Sequence, residues 1–252
     1  MNKKGFVSLV GAGPGDADLM TVKAVRLLQQ ADVVVYDRLV SADILNLIPT
    51  TVDRIAVGKE VGKHCVPQEQ INEIIVNQAK SGLQVVRLKG GDPYMFGRGG
   101  EEALTLKKHH IPFEVVPGIT AASGCSSYSG IPLTHRGMSR RVQFITGHFN
   151  NDEPLNLNWK LIADPDSTLV IYMGLLNLPL VVDSLIDAGL SASTPAAAVQ
   201  NGTTNSQQRV ITTLAQLNDE IQQKQMKAPV IIIIGKVVSL ADELDWFQNS
   251  IK

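Results

Sequence analysis

Short apolar runs and helical stretches take turns along this chain, and that alternation constrains its fold more than any other feature. In the first half, residues 6–10, 33–36, 54–57, 84–88 and 113–116 have the length and branched apolar content of buried strands. Between them, residues 19–30, 67–80 and 99–109 carry a helical period. Asp16 or Asp18 stands where the first would be capped, and Pro67 suits the first turn of the second. A further strand series follows at 142–146, 168–173, 196–199, 208–212 and 230–234, with helical pattern at 178–187 and 214–225. The alternation predicts α/β construction with largely parallel sheets. Gly118, Gly124 and Gly130, with Pro117 and Pro132, mark a seam. We therefore expect two α/β lobes, residues 1–117 and 118–252, each a mostly parallel or mixed sheet flanked by helices. Ligand clefts often lie between such lobes.

A chain of 252 residues can bury about 70–75% of its unfolded surface, so its stability needs no disulfide or structural metal. The net charge is −1 with no long run of one sign, which argues against a nucleic-acid partner. Cys65 and Cys125 are too few for a disulfide framework and show no zinc-ligand spacing. The histidines at 64, 109, 110, 135 and 148 show no ligand spacing either, so no metal site is expected. Only five residues precede the strand and glycine loop at the N-terminus, which lacks the apolar stretch of a signal peptide. The longest apolar run, 230–234, is far below the ~20 residues of a membrane span, so a cytoplasmic protein with no membrane partner is expected.

Two glycine loops stand out. The first predicted strand runs into Gly11-Ala12-Gly13-Pro14-Gly15-Asp16, where the lack of side chains lets a ligand approach the backbone. A dinucleotide loop of the form GxGxxG would need glycine at Asp16, and Pro14 removes a donor from such a loop. Asp32 or Asp37 keeps that nicotinamide-binding alternative open, and a plain strand-to-helix turn is a third reading of the loop. The second loop, from Leu88 to Glu102, exceeds the ~4–6 residues a connection needs. Its lysine, Lys89, precedes the glycines, so it is not a nucleotide phosphate loop.

The blocks GAGPGDADLMT, VVYDRLV, VGKEVGKHCVPQEQIN, VVRLKGGDPYMFGRGGEE, FEVVPGITAA, GIPLTHRG, TGH, VIYMG and AAAVQNGT occur in that order. With them the chain resembles the uroporphyrinogen-III C-methyltransferases, within the tetrapyrrole and precorrin methylase superfamily, from about Val7 to Phe247. GAGPG and GDP are shared across the wider superfamily, while YDRLV and GGDPYMFGRGGEE are narrower. The segment 149–166 matches only loosely and reads as a variable surface stretch.

The resemblance implies a two-lobed fold binding S-adenosylmethionine (SAM) in the inter-lobe cleft, and a homodimer. It implies C-methylation of uroporphyrinogen III at C2 and then C7, giving precorrin-2 by way of precorrin-1 for sirohaem or cobalamin. S-adenosylhomocysteine (SAH) is the by-product. The chain has no room for the dehydrogenase and ferrochelatase module of bifunctional relatives, so the resemblance implies that synthesis stops at precorrin-2. Carried over, Pro14, Gly90, Gly91, Asp92, Met95, Thr120, Ala121, Met173 and Gly202 bind the cofactor. Asp37 matches the proposed proton acceptor and Lys59 the proposed donor.

The residue types suit that chemistry, though each has a plainer reading. Thioethers adapt to flat rings, but Met95 and Met173 could equally fill core. Asp37 can steady a cationic ring or take its proton, or simply cap a turn. A substrate with eight carboxylates needs cations, and Arg38, Lys63, His64, Arg98, Arg136, Arg140 and Arg141 lie in or beside the matching blocks. Any one of these is otherwise a solvated surface charge. The rivals are another precorrin methyltransferase, a nicotinamide-dependent oxidoreductase, or a non-catalytic SAM- or tetrapyrrole-binding protein.

Overall fold

The computed structural model describes residues 4–58, 66–148 and 157–247. The chain divides into two compact units, Met1–Ala121 and Ala122–Lys252.

The first unit runs β1 (Phe6–Gly11), α1 (Val22–Gln30), β2 (Val33–Tyr36), α2 (Ala42–Leu45), β3 (Asp53–Ala56), α3 (Gln68–Lys80), β4 (Gln84–Lys89), α4 (Gly99–Lys108) and β5 (Phe113–Val116). Its sheet has the order β3-β2-β4-β1-β5, with every pair parallel. Because alternate residues of a strand face opposite ways, Val10, Val34, Val86 and Leu88 pack under α1 and α2 with Ala24, Leu28 and Ile44. Val7, Leu9, Val33, Val35 and Val85 pack on the other face with Ile71, Ile75 and Leu106 of α3 and α4. Fully burying one such aliphatic side chain stabilises by about 1.5–3 kcal/mol.

The first helix departs from its expected start. Ala17–Leu19 form a separate 3-10 turn, whose cap is Asp16 accepting from the Asp18 N–H at 2.9 Å. Met20 and Thr21 are extended, and Thr21 caps α1 by accepting from the Ala24 N–H at 3.1 Å. Neither aspartate caps the long helix. Threonine is a strong N-cap, and it stops the helical period three residues short of Leu19.

β1 and β4 lie side by side, yet their connections leave on opposite faces, β1 through α1 and β4 through α4. Strand ends at such a switch point in an open α/β sheet are where ligands bind. Both glycine loops leave from there.

The second unit contains most of α5 (Ala121–Tyr128), then β6 (Arg141–Thr146), α6 (Trp159–Ile162), β7 (Ser167–Tyr172), α7 (Leu178–Asp187), β8 (Pro195–Gln200), β9 (Gln208–Thr213), α8 (Leu217–Gln223) and β10 (Val230–Ile234). The strand order is β6-β7-β10-β8-β9. Only β6 and β7 pair in parallel; β7–β10, β10–β8 and β8–β9 are antiparallel. This sheet is mixed rather than largely parallel. Residues 201–207 between β8 and β9 are too few for a crossover, which takes about a dozen, so that pair closes as a hairpin. One face is covered by α7 and α8, with Val181, Leu185, Leu217 and Ile221 against Ile171, Ala198 and Ile232.

Gly124 lies buried inside α5 instead of breaking the chain. The C-terminal segment folds back on that helix: Trp246 Nε1 donates to the Ser127 carbonyl at 2.8 Å, and Tyr128 packs on the rings of Trp246 and Phe247. Arg209 ties it down, donating to the carbonyls of Ser129 at 2.7 Å and Ala241 at 3.1 Å and to Asp245 at 2.8 Å.

Candidate active site

At the ends of β1 and β4 the glycines pack backbone against backbone. Gly13 and Gly91 exchange hydrogen bonds, Gly91 N–H to Gly13 O at 2.7 Å and Gly13 N–H to Gly91 O at 3.1 Å. A Cβ on Gly11 would stand 2.5 Å from Gly118 N and 2.7 Å from Gly91 O, so no side chain is tolerated there. Gly91 also needs the left-handed region, at φ 69°.

Asp92 binds these segments together. Its Oδ1 accepts from the N–H groups of Tyr94 at 2.8 Å and Met95 at 3.1 Å, and its Oδ2 accepts from Gly118 N–H at 3.0 Å. Phe96 and Arg98, in the same loop, sit at φ 53° and 59°. Non-glycine residues in that region cost about 1–3 kcal/mol each and collect at functional sites.

Of the cofactor residues expected in this unit, Gly90, Gly91, Asp92 and Met95 share one strand-end loop. Pro14 follows the Gly13–Gly91 bridge, and Thr120 Cα and Ala121 N are the nearest atoms to a Cβ placed on Gly91, at 3.9 and 3.6 Å. All seven residues are half-buried. Met95 is therefore not a core filler. The result is a side-chain-poor strip of backbone beside one thioether, with its carboxylate already committed to backbone donors. Such a strip fits a flat, partly apolar ligand carrying a small zwitterion.

A charged cluster lies on the α3/α4 face of the same sheet, at its C-terminal edge. Arg87 and Lys89, two residues apart on β4, face the same way and are almost wholly buried. Arg87 Nη2 donates to Asp37 Oδ1 at 2.6 Å, and its Nε to Glu102 Oε1 at 3.0 Å. Lys89 Nζ donates to the same Glu102 oxygen at 3.0 Å and stands 3.7 Å from Asp37 Oδ2. Burial, aided by the Arg87 cation, holds the Lys89 ammonium below the usual lysine value, against the pull of Glu102 and Asp37. Asp37, just beyond β2, keeps its carboxylate 28% exposed while the other three are buried. It caps no turn with its side chain, for its hydrogen bond goes to Arg87. The reading from sequence missed Arg87, Lys89 and Glu102. Two cations spaced i, i+2 in an otherwise apolar strand were the available signal.

In the second unit, β6, β7 and β8 run the same way, so the segments after Thr146, Tyr172 and Gln200 leave one edge of the sheet. Met173 is half exposed at φ 53°, an unusual conformation for a long side chain. Gly147 packs on Gly174, where a Cβ would come within 2.5 Å of its Cα, and Asn177 Nδ2 donates to Gly147 O at 2.7 Å. Gly202 is buried against Cys125, whose sulfur occupies the place of any Cβ there. Burial pushes the Cys125 thiol up to about 12.

The expected substrate cations are less concentrated. Arg98 forms a two-pronged, exposed pair with Glu101 at 2.8 and 2.7 Å, which raises the guanidinium and lowers the carboxylate. Arg141 pairs with Asp164. Arg38, Arg136 and Arg140 are exposed. Lys59, Lys63 and His64 lie outside the described residues. Among the described residues no group of three or more His, Cys, Asp or Glu side chains could hold a metal ion, and no helix is long and apolar enough to cross a membrane.

The parallel sheet with paired glycine loops, followed by a mixed sheet, defines a class. Residues 7–218 match the model of the tetrapyrrole (corrin/porphyrin) methylases, and the chain belongs to that family. Among curated proteins it is 55% identical over 246 residues to a siroheme synthase of Pseudomonas putida, and 54% identical over 246 residues to that of Nitrosomonas europaea. These alignments cover 98% of the chain but 53% and 52% of the relatives, so the chain spans about half their length. Among solved structures it is similar to the uroporphyrin-III C-methyltransferase of Thermus thermophilus complexed with S-adenyl homocysteine. That match has 38% identity and a TM-score of 0.80, covering 94% of this chain and all of the other. A cobalt precorrin-4 methyltransferase superposes with a TM-score of 0.82 at 28% identity, covering 92% of this chain and 95% of that one.

Proposed function

We propose that this chain transfers methyl groups from SAM to C2 and then C7 of uroporphyrinogen III, forming precorrin-2 by way of precorrin-1 for sirohaem or cobalamin. The observation that carries this is the junction of Gly11, Gly91 and Gly118 under Asp92, in a family whose Thermus thermophilus member is solved with S-adenyl homocysteine. Pro14, Gly90, Gly91, Thr120 and Ala121 offer the cofactor backbone groups at close approach, and Met95 offers it an apolar contact. Asp92 shapes this loop by holding three N–H groups. Met173 and Gly202 are the contributions of the second unit. We assign the glycine loops and the substrate-facing residues Asp37, Arg38, Lys59, Lys63, His64 and Arg98 to lobe 1–117, and completion of the cofactor site, with Arg136, Arg140 and Arg141, to lobe 118–252, in a homodimer.

Bound there, SAM supplies an electrophilic methyl group. Everything else falls to the chain. Holding the acceptor carbon in line can provide about 7–11 kcal/mol of the barrier. Asp37, fixed by Arg87 and open to solvent on one side, steadies the cationic ring left by methylation and accepts the proton that this ring system then loses, the methylated carbon itself carrying none. Lys59 acts as proton donor. Arg38, Lys63, His64, Arg98, Arg136, Arg140 and Arg141 meet the substrate carboxylates.

Purified protein given uroporphyrinogen III and SAM should yield a dimethylated product by mass spectrometry, and calorimetry should show binding of SAH but not of NAD. Transfer only to a later corrin intermediate would move the chain to another precorrin methyltransferase. Ligand binding with no turnover on any tetrapyrrole would refute catalysis.

A further inference from the structure

Three donors converge on one oxygen of Glu102: Arg87 Nε at 3.0 Å, Lys89 Nζ at 3.0 Å and Gln68 Nε2 at 3.2 Å. Its second oxygen, Oε2, is buried and accepts no hydrogen bond among the described residues, an arrangement that buried carboxylates normally avoid. The lopsided arrangement has a direction. Gln68 is itself held by Asn72, its Nε2 donating to Asn72 Oδ1 at 3.0 Å. From the helices the chain of contacts passes through Glu102 to Arg87 and on to Asp37, the only carboxylate of the cluster with substantial exposure. A guanidinium is planar, so fixing Arg87 Nε also fixes the direction of Nη2, which holds Asp37 at 2.6 Å. Lys89, drawn to the same Glu102 oxygen, is kept 3.7 Å from the other oxygen of Asp37.

We infer that Glu102 is a positioning residue: by gripping Arg87 and Lys89 with one oxygen, it fixes the aim of the Asp37 carboxylate towards the substrate. The inference rests on the role given to Asp37 above. It also accounts for two cations standing side by side in an apolar strand. They are an oriented clamp, and Glu102 is its pivot.

The test is a double-mutant cycle of Glu102→Gln and Asp37→Asn, read as single-turnover methyl transfer to uroporphyrinogen III and as SAH affinity by calorimetry. Glu102→Gln keeps the shape and removes the charge. Its turnover should fall about 10- to 100-fold, the scale expected when a reacting group is misplaced by an ångström. SAH affinity should stay within about twofold, and in the Asp37→Asn background the substitution should add no further loss. Equal loss in both backgrounds, or weakened SAH binding in step with turnover, would make Glu102 merely structural and overturn the inference. Wild-type turnover in Glu102→Gln, with Asp37→Asn inactive, would overturn it while leaving the role of Asp37 standing. Wild-type turnover in Asp37→Asn would remove that role and the inference with it. Should Glu102→Gln not fold, Gln68→Ala takes one donor from the same oxygen with all charges kept. A turnover loss that vanishes in Asp37→Asn supports the clamp, and one that persists refutes it.

Discussion

Replacing Gly11 by alanine tests the glycine junction directly. The added Cβ would lie 2.5 Å from Gly118 N, 2.6 Å from Gly118 Cα and 2.7 Å from Gly91 O, all backbone atoms that cannot swing aside like a side chain. Ordinary contact begins near 3.4 Å, so the closest atom must retreat by about 0.9 Å. Overpacking of this kind costs about 1–3 kcal/mol. The retreat also strains the two Gly13–Gly91 hydrogen bonds, worth about 0.5–1.5 kcal/mol each. Together the loss should reach about 2–6 kcal/mol, divided between stability and binding. We expect a lower urea midpoint at unchanged slope, and SAH affinity in calorimetry weakened at least about tenfold, which is 1.4 kcal/mol. The control is Gly100→Ala on α4, where a Cβ meets nothing within 4 Å. It should leave binding alone and stabilise by about 0.5–1 kcal/mol, since alanine is the better helix former. If Gly11→Ala matched wild type in both midpoint and affinity, the packing argument for the site would be wrong.

Three further outcomes are expected. The Lys89 ammonium is held below its unfolded value, so the unfolded chain binds more protons between that depressed value and 10.5. Stability should therefore rise with pH across that window, by at most about 1.36 kcal/mol per unit from this group, and Lys89→Met should flatten the slope in urea titrations. With its thiol near 12 and its side chain buried, Cys125 should resist iodoacetamide at pH 8 in the folded protein and react once denatured, as peptide mapping would reveal. Arg209→Ala strips the C-terminal segment of its bonds to Ser129, Ala241 and Asp245 and should lower unfolding free energy by about 2–4 kcal/mol. Unchanged thermal stability would show that the tail holds without it.

Strand positions were legible because a run such as Val230–Ile234 can do little but fill a sheet interior, and the observed strand has those bounds. Strand direction in the second sheet was not, because it depends on the short link between β8 and β9 rather than on any strand's own residues. The four-residue helices α2 and α6 are too short to display a period. The glycine blocks led to Gly90, Gly91 and Asp92, and the structure adds why Asp92 is an aspartate: three N–H groups need its two oxygens. Arg87 and Lys89 escaped notice because a basic residue at a strand end usually reaches solvent. Only Glu102, reached across the turn from β4 to α4, reveals that they do not.

Among the described residues β10 is the last strand in sequence, and it is the middle one in its sheet. As the chain leaves the ribosome, β6 with β7 and β8 with β9 can pair as two separate ribbons, each exposing an apolar edge until residue 234 has emerged. The keystone is a run of four isoleucines after a valine, a segment prone to self-association whenever it waits unpaired. Completion of this sheet therefore waits on its central strand, and strand edges left open until then are what chaperones protect.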